Sequence, residues 1–148
     1  MTDVTFVLIP GAGGSAWYWH LVAAELRSRS HDVVAVDLPA DDPRAGLFEY
    51  ASVVVEAVGH VQQLILVAQS LAGFTAPLVC EHREVQLLVL VNAMIPMPGE
   101  TPGEWWTNTG HESANRAAKR RLLGICAATV NGGRGRWTGV AKGSPSAR

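Results

Sequence analysis

The chain has 148 residues and a formal net charge of −1, with 48% hydrophobic and 17% charged side chains. This length allows one ordinary domain, and the longest apolar runs are far shorter than the roughly 20 residues that a membrane-spanning helix needs. Its two cysteines give no disulfide framework, and its first residues have no basic targeting region. We therefore expect a cytoplasmic protein without a metal or other cofactor.

The predicted helices and strands alternate along the chain. Strands are predicted at 4–9, 33–37, 64–68 and 87–92, and helices at 17–28, 47–59 and 71–82. Strict alternation implies right-handed parallel crossovers, so the predicted fold class is α/β with a doubly wound, mainly parallel sheet. The runs at 64–67 and 87–91 are apolar at every position, which is typical of strands covered on both faces.

A glycine-rich loop follows the first predicted strand. It reads Pro10-Gly11-Ala12-Gly13-Gly14-Ser15 and leads into the Trp-rich start of the first helix. Three glycines within four residues allow backbone N–H groups to approach an anion closely, because no Cβ intervenes. The loop therefore suits either the oxyanion of an acyl-transfer reaction or a phosphate.

The third predicted strand runs into a serine. Ser70 lies in the segment Ala-Gln-Ser-Leu-Ala-Gly at 68–73, with Ala68 and Ala72 two residues to either side. A tight strand-to-helix turn needs small residues at those two positions and pushes the serine towards a substrate, as in a nucleophile elbow. The alternative interpretation is that Ser70 is an ordinary N-cap of the following helix.

Together these motifs resemble the α/β-hydrolase family, in particular its small esterase and hydroxynitrile-lyase-like branch. The resemblance runs from about Val4 to about His111. It includes the glycine loop, the strand-turn Val-Val-Ala-Val-Asp-Leu-Pro at 33–39, the elbow at 68–73 and the run Leu-Leu-Val-Leu-Val-Asn-Ala-Met-Ile-Pro at 87–96. Two positions depart from the family pattern, since Pro10 stands where histidine is usual and Ala72 where glycine is usual. The resemblance implies the N-terminal half of an α/β-hydrolase fold.

The resemblance also implies roles for individual residues. Ser70 would be the nucleophile of an esterase-like hydrolase that acts on a small acyl substrate. The backbone N–H groups of Ala12 and Leu71 would form the oxyanion hole. Trp105 and Trp106 would line the substrate side of the lid, although a tryptophan pair is also typical of ordinary lid packing.

No catalytic histidine or acid is identified. None of the five histidines follows a predicted strand at the carboxyl edge of the sheet, where a base for Ser70 would have to lie. Asp37 and Asn92 do end predicted strands, but Asp37 belongs to the turn at 37–39 and Asn92 carries no charge. The chain as it stands is therefore predicted to be nearly or wholly inactive.

Two other functions stay open at this point. The segment from Gly11 to Ala16 also matches G-x-G-x-x-A, and Asp37 ends the second strand, as in an NAD(P)-binding Rossmann-type βαβ unit. Pro10 and the aromatic cluster at 17–19 argue against that interpretation. A non-catalytic binding protein on the hydrolase fold is the other alternative, because fold does not fix function.

The charge distribution divides the chain. Residues 1–115 carry four basic and thirteen acidic side chains, a net charge of −9, whereas residues 116–148 carry eight basic and no acidic ones, a net charge of +8. We interpret 1–115 as a partial α/β-hydrolase domain whose lid begins near residue 96, and 116–148 as a basic, glycine-rich tail of non-family character. We favour a frameshift or truncation as its origin over selection for an acidic partner, and expect no nucleic-acid or membrane partner.

The strand predicted at 87–92 would be the last of the sheet. An apolar edge strand templates association with another chain. We therefore expect self-association through this edge, besides the binding of a small ester-like substrate. The residues from about 131 onward are glycine-rich and show no helical or strand period, which predicts disorder.

Overall fold

The computed structural model describes residues 4–111 and 113–120. Its strands are β1 (Thr5–Ile9), β2 (Asp32–Ala35), β3 (Leu64–Gln69) and β4 (Val85–Val91), and its α-helices up to residue 108 are α1 (His20–Ser28), α2 (Leu47–Val58), α3 (Ala72–His82) and α4 (Pro102–Asn108). A short 3-10 helix, Ala16–Trp19, leads into α1. The predicted order is confirmed, and the boundaries differ by two residues or fewer when the 3-10 helix is counted with α1.

The four described strands form one parallel sheet in the order β2-β1-β3-β4. The first helical segment covers one face, where Trp19 and Ala23 pack with Leu8 of β1. Helices α2 and α3 cover the other face, where Val54 and Val79 pack with buried side chains of β1 and β3. Helices on both faces of a parallel sheet confirm the predicted doubly wound α/β class. None of the described helices has the length and apolar character needed to cross a membrane.

Of the two strands that contain the apolar runs 64–67 and 87–91, only β3 is covered as predicted. Leu64, Leu66 and Ala68 of β3 are fully buried, and its other face is half-buried. In β4, by contrast, Leu87 is 52% exposed and Leu90 is 43% exposed. Strand β4 pairs with β3 alone and forms an edge of the described sheet. The expectation of full coverage is therefore wrong for β4 among the described residues.

The described residues fall into two compact units, one up to Trp105 and one from Trp106 onward. In the second unit the ring of Trp106 packs on that of His111, and residues 113–120 are helical and exposed. Most of the predicted tail, including the part for which disorder is predicted, lies outside the described residues. The predicted domain boundary at residue 115 stays a prediction.

Candidate functional site

The sheet register brings the glycine loop and the elbow together. Strands β1 and β3 are adjacent and parallel, and Ile9 is paired with Ala68. The loop that leaves β1 therefore lies beside the turn that leaves β3. The backbone N–H of Gly11 donates a hydrogen bond to Oε1 of Gln69 over 2.9 Å, which joins the two segments.

Ser70 occupies the turn between β3 and α3 in a left-handed backbone conformation, with a φ of 53°. This conformation is strained for residues other than glycine, and such strain clusters at functional sites. The Ser70 N–H donates to the carbonyl oxygen of Val91 at 3.2 Å, and the Ser70 carbonyl accepts from the N–H groups of Gly73 and Met94. Backbone hydrogen bonds on both sides therefore fix the position of the serine.

The structure contradicts the alternative that Ser70 is the N-cap of the following helix. The N-cap of α3 is Leu71, and no side chain makes a capping hydrogen bond at this helix end. Ser70 precedes the cap and takes up the left-handed turn instead. Its side chain is half-buried and borders a groove beside the glycine loop.

Small residues make this tight turn possible, as predicted. Ala68 and Ala72 are 0% and 1% exposed, so larger side chains there would displace core neighbours. The closest approach occurs at Gly73, where an added Cβ would clash with the carbonyl oxygen of Met94. This contact could not be predicted from the sequence, because Met94 comes close to Gly73 only where the chain leaves β4.

One of the two predicted oxyanion-hole donors lies in this turn, and the other lies in the neighbouring glycine loop. Ala12 lines the groove, and Leu71 directly follows Ser70. The Gly14 N–H donates to the Gly11 carbonyl at 3.1 Å and closes the loop around Ala12. Within the described residues, no group accepts a hydrogen bond from the N–H of Ala12 or of Leu71. Their role as an oxyanion hole stays a prediction.

A groove of about 350 Å³ opens beside Ser70. It is lined by loop residues 10–15, Trp17, Tyr18, Gln69 and Ser70. The side chains of Trp17 and Tyr18 are 74% and 57% exposed, and Trp17 stacks on His20 with ring centroids 4.5 Å apart. Aromatic surface with a few polar groups is typical of a pocket for a small organic ligand.

The two tryptophans predicted to contact the substrate make other contacts in the structure. Nε1 of Trp105 donates to the carbonyl oxygen of Ile95 at 3.1 Å. Trp106 is 37% exposed, and its ring centroid lies 4.1 Å from that of His111. Their role in substrate binding stays a prediction. The aromatic side chains that line the groove beside the elbow come instead from the start of the first helical segment, for which no contact with substrate was predicted.

None of the histidines, all of them described, forms a hydrogen bond with the Ser70 hydroxyl. Nδ1 of His20 lies 2.8 Å from the carbonyl oxygen of Trp17, and Nδ1 of His82 lies 2.9 Å from that of Leu78. These contacts assign no histidine to Ser70 in the described part of the chain, and the loss of the catalytic base stays a prediction. Among the described residues, no three His, Cys, Asp or Glu side chains cluster closely enough to bind a metal ion.

Asp37 has a structural role that was not predicted from the sequence. Its Oδ1 accepts a hydrogen bond from the Ala16 N–H at 2.7 Å, in the first turn of a helix, where N–H groups lack helical partners. The dinucleotide alternative assigns this same carboxylate to a ribose. Because the carboxylate already holds the loop, and because Trp17 projects beside that loop, the structure gives the dinucleotide alternative no support.

Comparison with known proteins places the chain among esterase-like sequences. The sequence profile described as "Alpha/beta hydrolase family" matches residues 6–145. A probable esterase of Oryza sativa subsp. indica is 32% identical over 110 residues, which cover 66% of this chain and 42% of that protein. Methylesterase 7 of Arabidopsis thaliana is 33% identical over 104 residues, which cover 62% of this chain and 40% of that protein.

Structural comparison gives the same fold. The crystal structure of polyneuridine aldehyde esterase matches with a TM-score of 0.62 at 24% identity, and the match covers 74% of this chain and 48% of that one. The chain thus spans less than half the length of each of these relatives. The family profile nevertheless covers nearly all of the sequence, and the parallel sheet has the matching fold. The chain therefore belongs to the α/β hydrolase family.

Proposed function

We propose that this chain carries the nucleophile and oxyanion-hole half of a serine-esterase site that acts on a small ester. The observation that carries the proposal is Ser70, held at a φ of 53° between β3 and α3 beside an open groove. A strand-turn-helix placement is the context that gives the elbow motif a catalytic meaning. The relatives named as esterases support the same class of reaction.

In the proposed reaction, Oγ of Ser70 bonds to the carbonyl carbon of the ester while its proton passes to a base. The carbonyl oxygen becomes an oxyanion, which the N–H groups of Ala12 and Leu71 would stabilise. Collapse of this intermediate breaks the ester C–O bond, and the alcohol leaves with the proton. Water then attacks the Ser70 acyl-enzyme, which releases the acid and restores the serine.

The groove supports a small substrate. Its volume of about 350 Å³ lies near the lower end of the range of small-molecule pockets, which begins at roughly 300 Å³. Trp17 and Tyr18 would contact the apolar part of the ester. The predicted contribution of Trp105 and Trp106 to substrate binding is part of the same proposal.

We also propose that the 148-residue chain by itself turns over slowly. A serine hydroxyl is a weak nucleophile without a base, and no histidine is hydrogen-bonded to Ser70. Loss of the base costs serine hydrolases on the order of 10⁶-fold in turnover and leaves about 10³- to 10⁴-fold over water. An enzyme with a turnover of about 10 s⁻¹ would therefore fall to roughly 10⁻⁵ s⁻¹.

To test the proposal, the purified chain is treated with an excess of a fluorophosphonate, and the modified residue is located by mass spectrometry. Hydrolysis of a short-chain activated ester is measured in parallel. We expect slow modification confined to Ser70 and ester turnover below about 10⁻⁴ s⁻¹. Both should be absent in Ser70→Ala. Ser30→Ala is the matched control, because Ser30 also has a positive φ, 65°, and does not line the groove.

Modification that persists in Ser70→Ala would contradict the assignment of the nucleophile. Turnover of several per second that vanishes in Ser70→Ala would confirm the nucleophile and contradict slow turnover, since one of the five histidines would then serve as the base. Neither modification nor turnover in the wild-type chain would favour a non-catalytic binding protein on the hydrolase fold.

A further inference from the structure

The side chain of Gln69 joins two segments that lie 58 residues apart in sequence. Its Oε1 accepts a hydrogen bond from the Gly11 N–H over 2.9 Å. A backbone N–H can only donate, so the amide oxygen must face Gly11 and the Nε2 group must point elsewhere. Gln69 is also half-buried and lines the groove beside Ser70.

Gly11 packs directly against the elbow, which is possible because it has no side chain. A Cβ added at Gly11 would lie 2.5 Å from Oε1 of Gln69 and 2.8 Å from Cβ of Ser70. Gly11 is buried, whereas the next residue, Ala12, is exposed in the groove. The contact with Gln69 therefore fixes the loop backbone one residue before the proposed oxyanion-hole donor.

Other hydrogen bonds of the loop lead away from β3. The Gly14 N–H bonds to the Gly11 carbonyl within the loop, and the Leu38 N–H bonds to the Gly14 carbonyl over 2.8 Å, which ties the far end of the loop to the segment after β2. Among the described residues, the hydrogen bond from Gly11 to Gln69 is the one that joins residues 11–14 to β3.

We infer that Gln69 is a positioning residue, whose side chain tethers the glycine loop to the elbow and thereby sets the position of the Ala12 N–H relative to Ser70. This inference rests on the proposed function. Oxyanion-hole donors act at about 2.7–3.1 Å from the oxyanion, and a misplacement of about 1 Å in a catalytic site can cost on the order of 10²-fold in rate. Loss of the tether should therefore slow the reaction of Ser70 without touching the serine.

Two substitutions separate the acceptor from the bulk of the side chain. Gln69→Met keeps the length of the side chain and removes the acceptor, whereas Gln69→Glu keeps an oxygen acceptor at the same place. Gln62→Met is the matched control, because Gln62 is exposed and its Nε2 donates only to the nearby His60 carbonyl, at 3.3 Å. All variants are made in the full chain and compared by thermal unfolding before the other measurements.

The first measurement is hydrogen exchange of the Gly11 amide by NMR. We expect exchange at least about tenfold faster in Gln69→Met, because the amide loses its hydrogen bond. The wild-type rate should hold in Gln69→Glu and Gln62→Met. The second measurement is the rate of fluorophosphonate modification of Ser70, which should fall by about 10- to 100-fold in Gln69→Met and stay unchanged in Gln62→Met.

Unchanged Gly11 exchange in Gln69→Met would overturn the inference, and so would faster exchange with an unaltered rate of Ser70 modification. Failure of Gln69→Glu to restore Gly11 protection would also count against a tether through an oxygen acceptor. A wild-type chain that is not modified at Ser70 refutes the proposed function instead. In that case the Gly11 exchange rates still decide whether Gln69 holds the loop.

Discussion

Strands β3 and β4 are neighbours with similar sequences and different surroundings. β3 reads Leu-Ile-Leu-Val-Ala-Gln, and β4 reads Val-Gln-Leu-Leu-Val-Leu-Val. β3 has a strand on each side, and Leu66 is completely buried. β4 has one neighbour among the described strands, and Leu87 is 52% exposed. An apolar run thus identifies a strand, whereas the elements around that strand decide how much of it is buried.

At their carboxyl ends the two strands are joined by hydrogen bonds to Ser70. There the Ser70 N–H bonds to the Val91 carbonyl, and the Met94 N–H bonds to the Ser70 carbonyl over 2.9 Å. The edge strand therefore holds the elbow that follows the central strand. A strand that contributes little buried surface can still position a functional residue.

The largest expected effect is on the buried strand. Leu66→Ala should lower the free energy of unfolding by about 3 kcal/mol, because it removes a fully buried side chain and leaves a cavity. Leu90→Ala should cost less than about 1 kcal/mol, because Leu90 is 43% exposed. Denaturant unfolding measures both values. Equal losses would show that β4 is as well buried as β3 in solution.

The next effect tests the contact between the elbow and the exit of β4. Gly73→Ala should lower the free energy of unfolding by about 2 kcal/mol, because the added Cβ would clash with the Met94 carbonyl and force backbone shifts. Gly103→Ala is the control, since a Cβ added there meets nothing within 4 Å and alanine favours a helix. Stability measured by denaturant unfolding should not fall in the control, and an equally neutral Gly73→Ala would contradict the close contact.

The open edge of β4 gives a smaller effect, on association. We expect the chain to self-associate through this edge, and Leu87→Lys should weaken association by about tenfold, or ~1.4 kcal/mol, because a charged side chain blocks edge pairing. Leu21→Lys is the control, because Leu21 is 72% exposed and lies on α1, away from β4. Light scattering over a range of concentrations measures the association of the wild-type chain and of the two variants. A wild-type chain that is monomeric throughout would contradict the prediction.

The smallest effect concerns the helix that covers β3. The Gly46 N–H donates to Oε2 of Glu49 at 2.7 Å at the start of α2, and this bond lowers the pKa of Glu49 below its ordinary value, with the backbone N–H of Glu49 adding to the effect. A lowered pKa stabilises the folded chain above the ordinary pKa, and the stabilisation is lost as the pH falls through the folded value.

Glu49→Gln should therefore reduce the thermal midpoint slightly at neutral pH and leave it nearly unchanged in acid, where Glu49 is protonated. Thermal unfolding from neutral to acidic pH measures the difference between the two proteins. A difference that grows as the pH falls would have the wrong sign for this hydrogen bond. It would mean that Glu49 is stabilised in its protonated form.

Much of the fold and the location of the elbow could be predicted because their signals are local. Apolar runs between turn residues mark the strands, and the alternation with helices requires parallel crossovers. Ala68 and Ala72 predict a tight turn around Ser70, and both lie within a segment of six residues. The carboxyl ends of parallel strands meet at one edge of a sheet, so the order of elements places the glycine loop and the elbow at the same edge. That β1 is the direct neighbour of β3 was decided by the sheet topology.

The sequence by itself thus determined the α/β class, the order of the elements and the segment that presents Ser70. Only the tertiary structure decided the contacts between distant residues. In the folded chain the Gln69 side chain accepts a hydrogen bond from the Gly11 N–H, and the Asp37 carboxylate accepts one from the Ala16 N–H. Strand β4 lies exposed at the edge of the described sheet. Glutamine, aspartate and leucine each occur in many environments. The environment of each is set here by elements that are distant in sequence and adjacent only in the folded chain.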